Sequence, residues 1–276
     1  MIFSWSRGRL GNQFFQYGLA LQSSRKGEIV ILVGYEELHR FFPRHRGIWV
    51  PVPAQFSAFS RKVHRLFKRM AKRGFLGRVD SFEQRKALMR STGILPGSLV
   101  MDELGQVEGM VSSSWIAQLV KGHRSFPALP ERKPGGLPLC FVHVRRTDYS
   151  TWPRPDIPAI LPAAWFARAM DFITESIGPV DFVVVTDDRE WVRQDSVLGP
   201  IDLFEGSELE DWALMASCDA GILSPSSFAY WAAKIATDLN RVTGPFVAPT
   251  YWGAWMAKEW YPTGMNSSFF SFLEVE

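Results

Sequence analysis

The sequence is short of several features, and each shortage removes a class of protein. Among 276 residues there are two cysteines, Cys140 and Cys218, set in apolar surroundings and far apart in the chain. This excludes a disulfide scaffold and fits reduced core thiols, as in a cytoplasmic protein. The five histidines are scattered without ligand spacing, which argues against a zinc site. No apolar run approaches the length of a membrane span, and residues 1–5 are too few for the core of a signal peptide. There is no full dinucleotide fingerprint and no Walker sequence, so neither NAD nor a P-loop nucleotide is indicated. No internal repeat is visible.

What is present is ordinary in amount: 46% hydrophobic and 21% charged residues, enough for one large domain or two modest ones with sizeable cores. The net charge of +3 conceals an asymmetry. Residues 61–90 hold 11 Lys or Arg against two Asp or Glu, so that block carries +9 and the rest of the chain −6. A basic block suits acidic lipid headgroups, an anionic acceptor or nucleic acid, whereas the plain interpretation is a solvated helix face. Phe56, Phe59, Val63, Leu66, Phe67 and Met70 form a helical stripe with the cations of residues 61–73 mostly facing away. Such a helix lies on a membrane or covers a domain, and packing on its own domain is the expected use of the apolar face.

Residues 1–5 read as a first strand running into the glycine-bearing turn Arg7-Gly8-Arg9-Leu10-Gly11-Asn12-Gln13. A helical pattern follows through Phe14, Phe15, Leu19 and Leu21, then a strand at residues 29–33. Strand, glycine turn, helix and strand open a nucleotide-binding α/β domain. Residues 39–55 read as irregular and residues 80–125 as mixed helix and strand, with Ser112-Ser113-Ser114-Trp115 opening a short helix. The Pro- and Gly-rich stretch 127–138 reads as a linker. Domains are therefore expected at residues 1–133 and 134–276, with the last helix or tail free to pack back on the first.

Beyond residue 138 the pattern turns regular. Strands read at residues 139–144, 181–185, 201–204, 220–223 and 242–247, and helices at 162–176, 208–217 and 228–237. Alternating strands and helices with short links imply a parallel sheet wrapped by helices. In such sheets ligands bind at the carboxyl ends of the strands. There the sequence places His143, Arg145, Arg146 and Asp148, then Thr186-Asp187-Asp188, then Ser224-Pro225-Ser226-Ser227 leading into Phe228. Arginine forks and a Ser-rich helix start suit phosphate, although the same residues make a strand-end ion pair and an N-cap. Asp187 and Asp188 suit a base edge or a helix cap at Trp191 better than a divalent metal, because arginines already neutralise phosphate.

These residues resemble a known family. His143-Val144-Arg145-Arg146-Thr147-Asp148 looks like the signature of the fucosyltransferases that include the α-1,2 (glycosyltransferase family 11), α-1,6 and protein O-fucosyltransferases. Gly8-Arg9-Leu10-Gly11-Asn12-Gln13-Phe14-Phe15-Gln16-Tyr17 is similar to the amino-terminal motif of the α-1,2 group. Thr186-Asp187-Asp188-Arg189-Glu190-Trp191 resembles the second shared motif. The third is resembled by Asp211-Trp212-Ala213-Leu214-Met215-Ala216-Ser217-Cys218 with Ser226-Ser227-Phe228-Ala229-Tyr230-Trp231. Val247-Ala248-Pro249-Thr250-Tyr251-Trp252 and Trp260-Tyr261-Pro262 are similar to the group's closing segment.

The resemblance implies an α/β, GT-B-like fold with two Rossmann-type domains facing across a cleft. It implies inverting transfer of L-fucose from GDP-β-L-fucose to a saccharide hydroxyl, α-1,2 to a terminal galactose of a surface glycan precursor. No cofactor and no metal is then required, and the partners are the donor and an oligosaccharide acceptor, with no nucleic acid. The alternatives are α-1,6 transfer to a chitooligosaccharide or glycan core, and a non-catalytic nucleotide-sugar-binding protein, since no base is marked. By the same resemblance Arg145 binds the β-phosphate, His143 and Asp187 lie near guanine and ribose, and Ser226, Ser227 and the helix start at Phe228 hold phosphate. Arg9 and Asn12 close on the sugar, while Arg146 and Asp148 brace the loop, Asp148 by pairing with an arginine. The expected location is cytoplasmic, with the basic helix at residues 56–73 a candidate for contact with an anionic membrane.

Overall fold

A computed structural model describes residues 1–72, 77–79, 99–101, 106, 111–122, 136–240 and 244–276. The chain divides into two compact units, Met1–Arg124 and Ser125–Glu276. The expected boundary at residues 133–134 and most of the linker at 127–138 lie outside the described residues, as does most of the 80–125 stretch. Among the described residues no helix is long and apolar enough to cross a membrane.

The first unit runs β1 (Ile2–Trp5), α1 (Leu10–Ser23), β2 (Val30–Val33), α2 (Glu36–Phe41), β3 (Ile48–Val50), α3 (Ser57–Lys72), β4 (Gly77–Val79), β5 (Leu99–Met101) and α4 (Ser114–Gly122). Its sheet is parallel throughout, in the order β3-β2-β1-β5-β4. Strand order therefore reverses beside β1, whose carboxyl end carries the glycine turn. Gly8 sits at φ +73°, and a Cβ there would lie 2.2 Å from Asn12 Nδ2, so the turn requires glycine. Two buried glutamines of α1 tie that turn down. Gln16 exchanges hydrogen bonds with the backbone of Arg7 at 3.0 and 3.2 Å, and Gln13 Oε1 accepts from Leu38 N at 2.8 Å.

Two expectations for this unit are corrected. Residues 39–55, read as irregular, contain the end of α2 and the edge strand β3. The side chains of β3 are largely exposed, so no apolar alternation marks it. The stripe at residues 56–70 packs on its own domain only in part. Phe56, Phe59 and Leu66 are 55%, 64% and 53% exposed, while Phe67 of the same stripe meets Phe3 and Trp5 edge-on and His64 stacks on Trp5. Periodicity locates a face but does not say which way it turns. Here aromatic rings on β1 take up Phe67 and His64 and leave Phe56, Phe59 and Leu66 exposed.

The second unit runs β6 (Leu139–Val144), β7 (Pro153–Arg154), β8 (Ile157–Pro158), α5 (Ala163–Ile177), β9 (Asp181–Thr186), α6 (Arg189–Gln194), β10 (Asp202–Leu203), α7 (Glu208–Ser217), β11 (Ala220–Leu223), α8 (Ser227–Asn240), β12 (Phe246–Pro249) and β13 (Ser271–Leu273). Six strands form a parallel sheet ordered β10-β9-β6-β11-β12-β13, and β7 and β8 make a small antiparallel pair. On one face Cys140, Val142 and Val144 of β6 join Val184, Ile222 and Val247 and pack on Trp165, Phe166, Ala169 and Ile173 of α5. With helices on both faces, the central strands read as continuous apolar runs, which is why the sequence located them. Both cysteines are buried thiols. The tail is anchored in its own unit by β13, a strand that the sequence reading did not assign, and Trp165 Nε1 donates to its Leu273 carbonyl at 3.3 Å.

Candidate active site

The chain leaves β6 for β9 and β10 on one side, then returns through β11 and β12 on the other. The β6–β11 junction is thus the switch point of the sheet, where the two loops that follow diverge and leave a crevice. Both loops carry the residues singled out from sequence. They are stitched together by Ser224, whose Oγ accepts from Arg145 N at 3.0 Å and donates to the His143 carbonyl at 2.9 Å.

Arg145 is the centre of the arrangement. Its side chain is 19% exposed, and its Nε lies 2.8 Å from Asp148 Oδ1 and 3.2 Å from Asp187 Oδ2. Burial opposes the charge, but the hydrogen bond to Asp148 and the charges of Asp187 and Asp148 outweigh it and raise the pKa above the ordinary value. Only Nε is engaged. The two terminal amino groups make no hydrogen bond among the described residues, so a guanidinium fixed in direction keeps its donor fork.

Asp187 does more than pair. Its Oδ1 accepts from Arg146 N at 2.9 Å, and Oδ2 from the backbone and hydroxyl of Thr147, which shapes the loop after β6. Asp188 caps α6 by accepting from Trp191 N at 3.2 Å, and pairs with Arg146 at 3.4 Å. Arg146 lies over the Trp191 ring at 3.7 Å and is committed to structure. Asp148 is paired with an arginine, and that arginine is Arg145.

His143 is buried against Phe228, with ring centroids 6.4 Å apart, and its Nδ1 has no hydrogen-bond partner among the described residues. Burial first, then the charge of Arg145, pushes its pKa down to about 3, against an opposing pull from Asp187. The ring is a neutral imidazole at any working pH. Ser226 is buried beside Tyr149, whose hydroxyl donates to the Pro225 carbonyl, and Ser227 opens α8, a helix of 14 residues whose amino end points at the switch-point loop. Burial raises the Tyr149 pKa well above normal, so this hydroxyl stays protonated.

One residue was quoted from sequence only as part of a motif, without a role. Asp211, in the first turn of α7, has a buried Oδ1, and burial raises its pKa to about 7 against the charge of Arg189 and a backbone hydrogen bond from Gly206. An acid at a helix start ordinarily reads as a partner for the helix dipole, so only its burial distinguishes it. In the first unit, Arg9 pairs with Glu37 at 3.2 Å, and Asn12 Oδ1 accepts from Gln106 Nε2.

Two α/β units, each with a parallel Rossmann-type sheet, define the class as a GT-B-like fold. Escherichia coli heptosyltransferase WaaC with ADP shares it, with a TM-score of 0.51 at 11% identity over 99% of this chain and 92% of that one. At that identity the likeness concerns the fold alone. The particular relationship comes from sequence: residues 138–243 match the model for Glycosyl transferase family 11, so the chain is related to that family through its second unit. It is 31% identical to galactoside alpha-(1,2)-fucosyltransferase 1 of Bos taurus over 138 residues, which are 47% of this chain. It is 28% identical to the O-antigen biosynthesis glycosyltransferase WbnK of Escherichia coli over 119 residues, 41% of this chain. In each case the match spans 38% of the relative's length.

Proposed function

We propose that the protein is a fucosyltransferase that moves L-fucose from GDP-β-L-fucose to a galactoside hydroxyl, with α-1,2 linkage, on a surface glycan precursor. The observation that carries this reading is Arg145: a guanidinium aimed by two carboxylates through Nε, with its terminal donors uncommitted, at the switch point of the sheet. The names of the matched relatives support the choice of sugar and acceptor.

In this reading the bond between fucose C1 and the β-phosphate oxygen breaks as the acceptor oxygen bonds to C1, and the acceptor proton is released. Negative charge grows on the departing diphosphate. Arg145 and the amino end of α8, with Ser226 and Ser227, meet that charge and stabilise the transition state more than the ground state. Asp187 and Asp148 hold Arg145 in register, so its cost of alignment is met before the reaction. Asp211 offers a buried carboxyl oxygen to the N–H edge of guanine, and His143, neutral, contributes shape and a ring nitrogen rather than charge. Arg9 and Asn12 serve the sugar end. The cations take the role that a metal would fill, and transfer proceeds with chelator present.

The test is incubation with GDP-fucose and a panel of β-galactosides in EDTA, followed by linkage analysis of the product. Arg145→Ala should reduce turnover by about 100-fold or more, as loss of one donor aimed at developing charge does elsewhere, with circular dichroism unchanged. Near-normal turnover in that variant would remove Arg145 from the site. GDP binding without any transfer would favour a non-catalytic binding protein, and an α-1,6 product would correct the linkage.

A further inference from the structure

The aromatic segment that follows β12 has no role in donor binding, yet it lies on the same edge of the sheet as Arg145. β6, β11 and β12 are parallel neighbours, so the loops after β6 and β12 both leave the carboxyl edge. There the two loops meet ring to ring. Tyr149 and Trp152 have centroids 4.8 Å apart, and Trp152 and Tyr261 5.8 Å apart. The series of rings begins at the donor site, because the guanidinium carbon of Arg145 lies 5.9 Å from the Tyr149 ring centroid. Tyr149 is buried, whereas Trp152 is partly exposed and Tyr261 is 48% exposed.

These rings are held in place from below. Trp152 rests on Gly253, where a Cβ would lie 2.4 and 2.5 Å from two carbons of the indole. Ala159 N donates to the Trp152 carbonyl at 2.8 Å, and Gly253 N to the Tyr261 carbonyl at 3.1 Å. The turn that leads into the second loop sets Tyr251 and Trp252 at φ 66° and 54°, left-handed backbone that bulky residues rarely adopt. Such strain persists where the surroundings over-determine it, and it concentrates at active sites and ligand clamps. The exposed parts of two rings are far too small for a protein partner, which covers roughly 800 Å² on each side. They match one sugar ring. A pyranose has a face of slightly positive C–H groups, which suits the negative face of an aromatic ring, and the Tyr261 hydroxyl offers a hydrogen bond at the rim.

We infer that Trp152 and Tyr261 form a platform on which a sugar ring of the acceptor stacks. The donor sugar is bonded directly to the phosphate assigned to Arg145, whereas Trp152 and Tyr261 stand one and two rings further out, where the next sugar belongs. The choice of acceptor rests on the fucosyltransferase reading, but the stacking of a saccharide does not, so the two are tested separately. Saturation-transfer NMR with lactose and GDP, irradiating the aromatic protons of the protein, reads stacking without transfer. Ring protons of lactose should be saturated by the parent and lose most of that signal in Tyr261→Ala, a change at an exposed position. In kinetics with GDP-fucose, the lactose KM should rise about fivefold or more in Tyr261→Ala and in Trp152→Ala, the scale of one lost ring contact. The GDP-fucose KM should stay as in the parent, and Trp152→Phe, which keeps a ring, should recover most of the loss. A rise in the GDP-fucose KM instead would give the platform to the donor sugar and overturn the inference. An unchanged lactose signal and KM in both alanine variants would overturn it as well. Absence of fucosyl transfer, with a lactose signal that still depends on Tyr261, overturns the donor reading only.

Discussion

Two buried titratable groups in the second unit pull its stability in opposite directions with pH. His143 has its pKa lowered to about 3. Below its ordinary value of about 6.5 the unfolded chain takes up a proton that the folded chain refuses, so stability falls as pH drops from there toward 3. Asp211 has its pKa raised to about 7 from 3.8. Between those values the unfolded chain has released a proton that the folded chain retains, so stability falls as pH rises through that window. Asp211→Asn should therefore stabilise the protein more at pH 7.5 than at pH 4.5 relative to the parent, read from urea unfolding midpoints. His143→Gln should show the reverse, improving on the parent mainly at the acid end. An Asp211→Asn effect equal at both pH values would mean that its carboxyl is not held protonated in the fold.

At the scale of elements, β6 and β11 fix the site by being neighbours. Gly221 of β11 pairs with Phe141 of β6, and a Cβ at Gly221 would lie 2.3 Å from two carbons of the Phe141 ring. The two strands can close up only because one position lacks a side chain. Gly221→Ala should cost about 1–3 kcal/mol of stability, as overpacking in a dense core does. By shifting the strand end that carries Arg145 and Ser224 it should also weaken GDP binding. Unchanged unfolding and GDP affinity in that variant would show that the ring simply turns aside. The loop after β6 is a second device. Asp187 organises Arg145, Arg146 and Thr147 at once, so a single residue on β9's trailing end sets the conformation of a loop on its neighbour.

For the whole molecule, the residues singled out from sequence fall in both units. Arg145 lies at the carboxyl end of β6 in the second, and the glycine turn at the carboxyl end of β1 in the first. The outer face of α3 adds a surface property, because Phe56, Phe59 and Leu66 are exposed with Lys62 and Arg69 exposed beside them. An amphipathic helix of this composition seats in the interface of an anionic bilayer. The protein should co-sediment at low salt with vesicles of phosphatidylcholine mixed with phosphatidylglycerol and not with phosphatidylcholine alone. Phe59→Ser/Leu66→Ser should lose that binding while keeping its affinity for GDP. Equal recovery of parent and variant would exclude a membrane role for this face, and a parent dimer that the variant dissociates would assign the face to a second copy.

The sequence by itself determined the parallel α/β character of the second unit, its central strands, and the candidates at their ends. Strands buried on both faces are written as unbroken apolar runs, so the first polar residues after them stand out. It also determined that Gly8 opens a turn and that Ser227 opens a helix, because glycine and serine have strong local preferences at those positions. The tertiary structure alone decided which neighbours those residues meet. Arg145, rather than Arg146, receives both carboxylates, and His143 is sealed and neutral. The apolar stripe of α3 is divided, Phe67 packing on β1 and Phe59 and Leu66 facing outward, and β3 and β13 complete sheets as edge strands too short and too irregular in pattern to announce themselves. Asp211 gained its meaning only from burial. Pairing, exposure and pKa are set by contacts between segments distant along the chain, and periodicity within a segment carries no record of them.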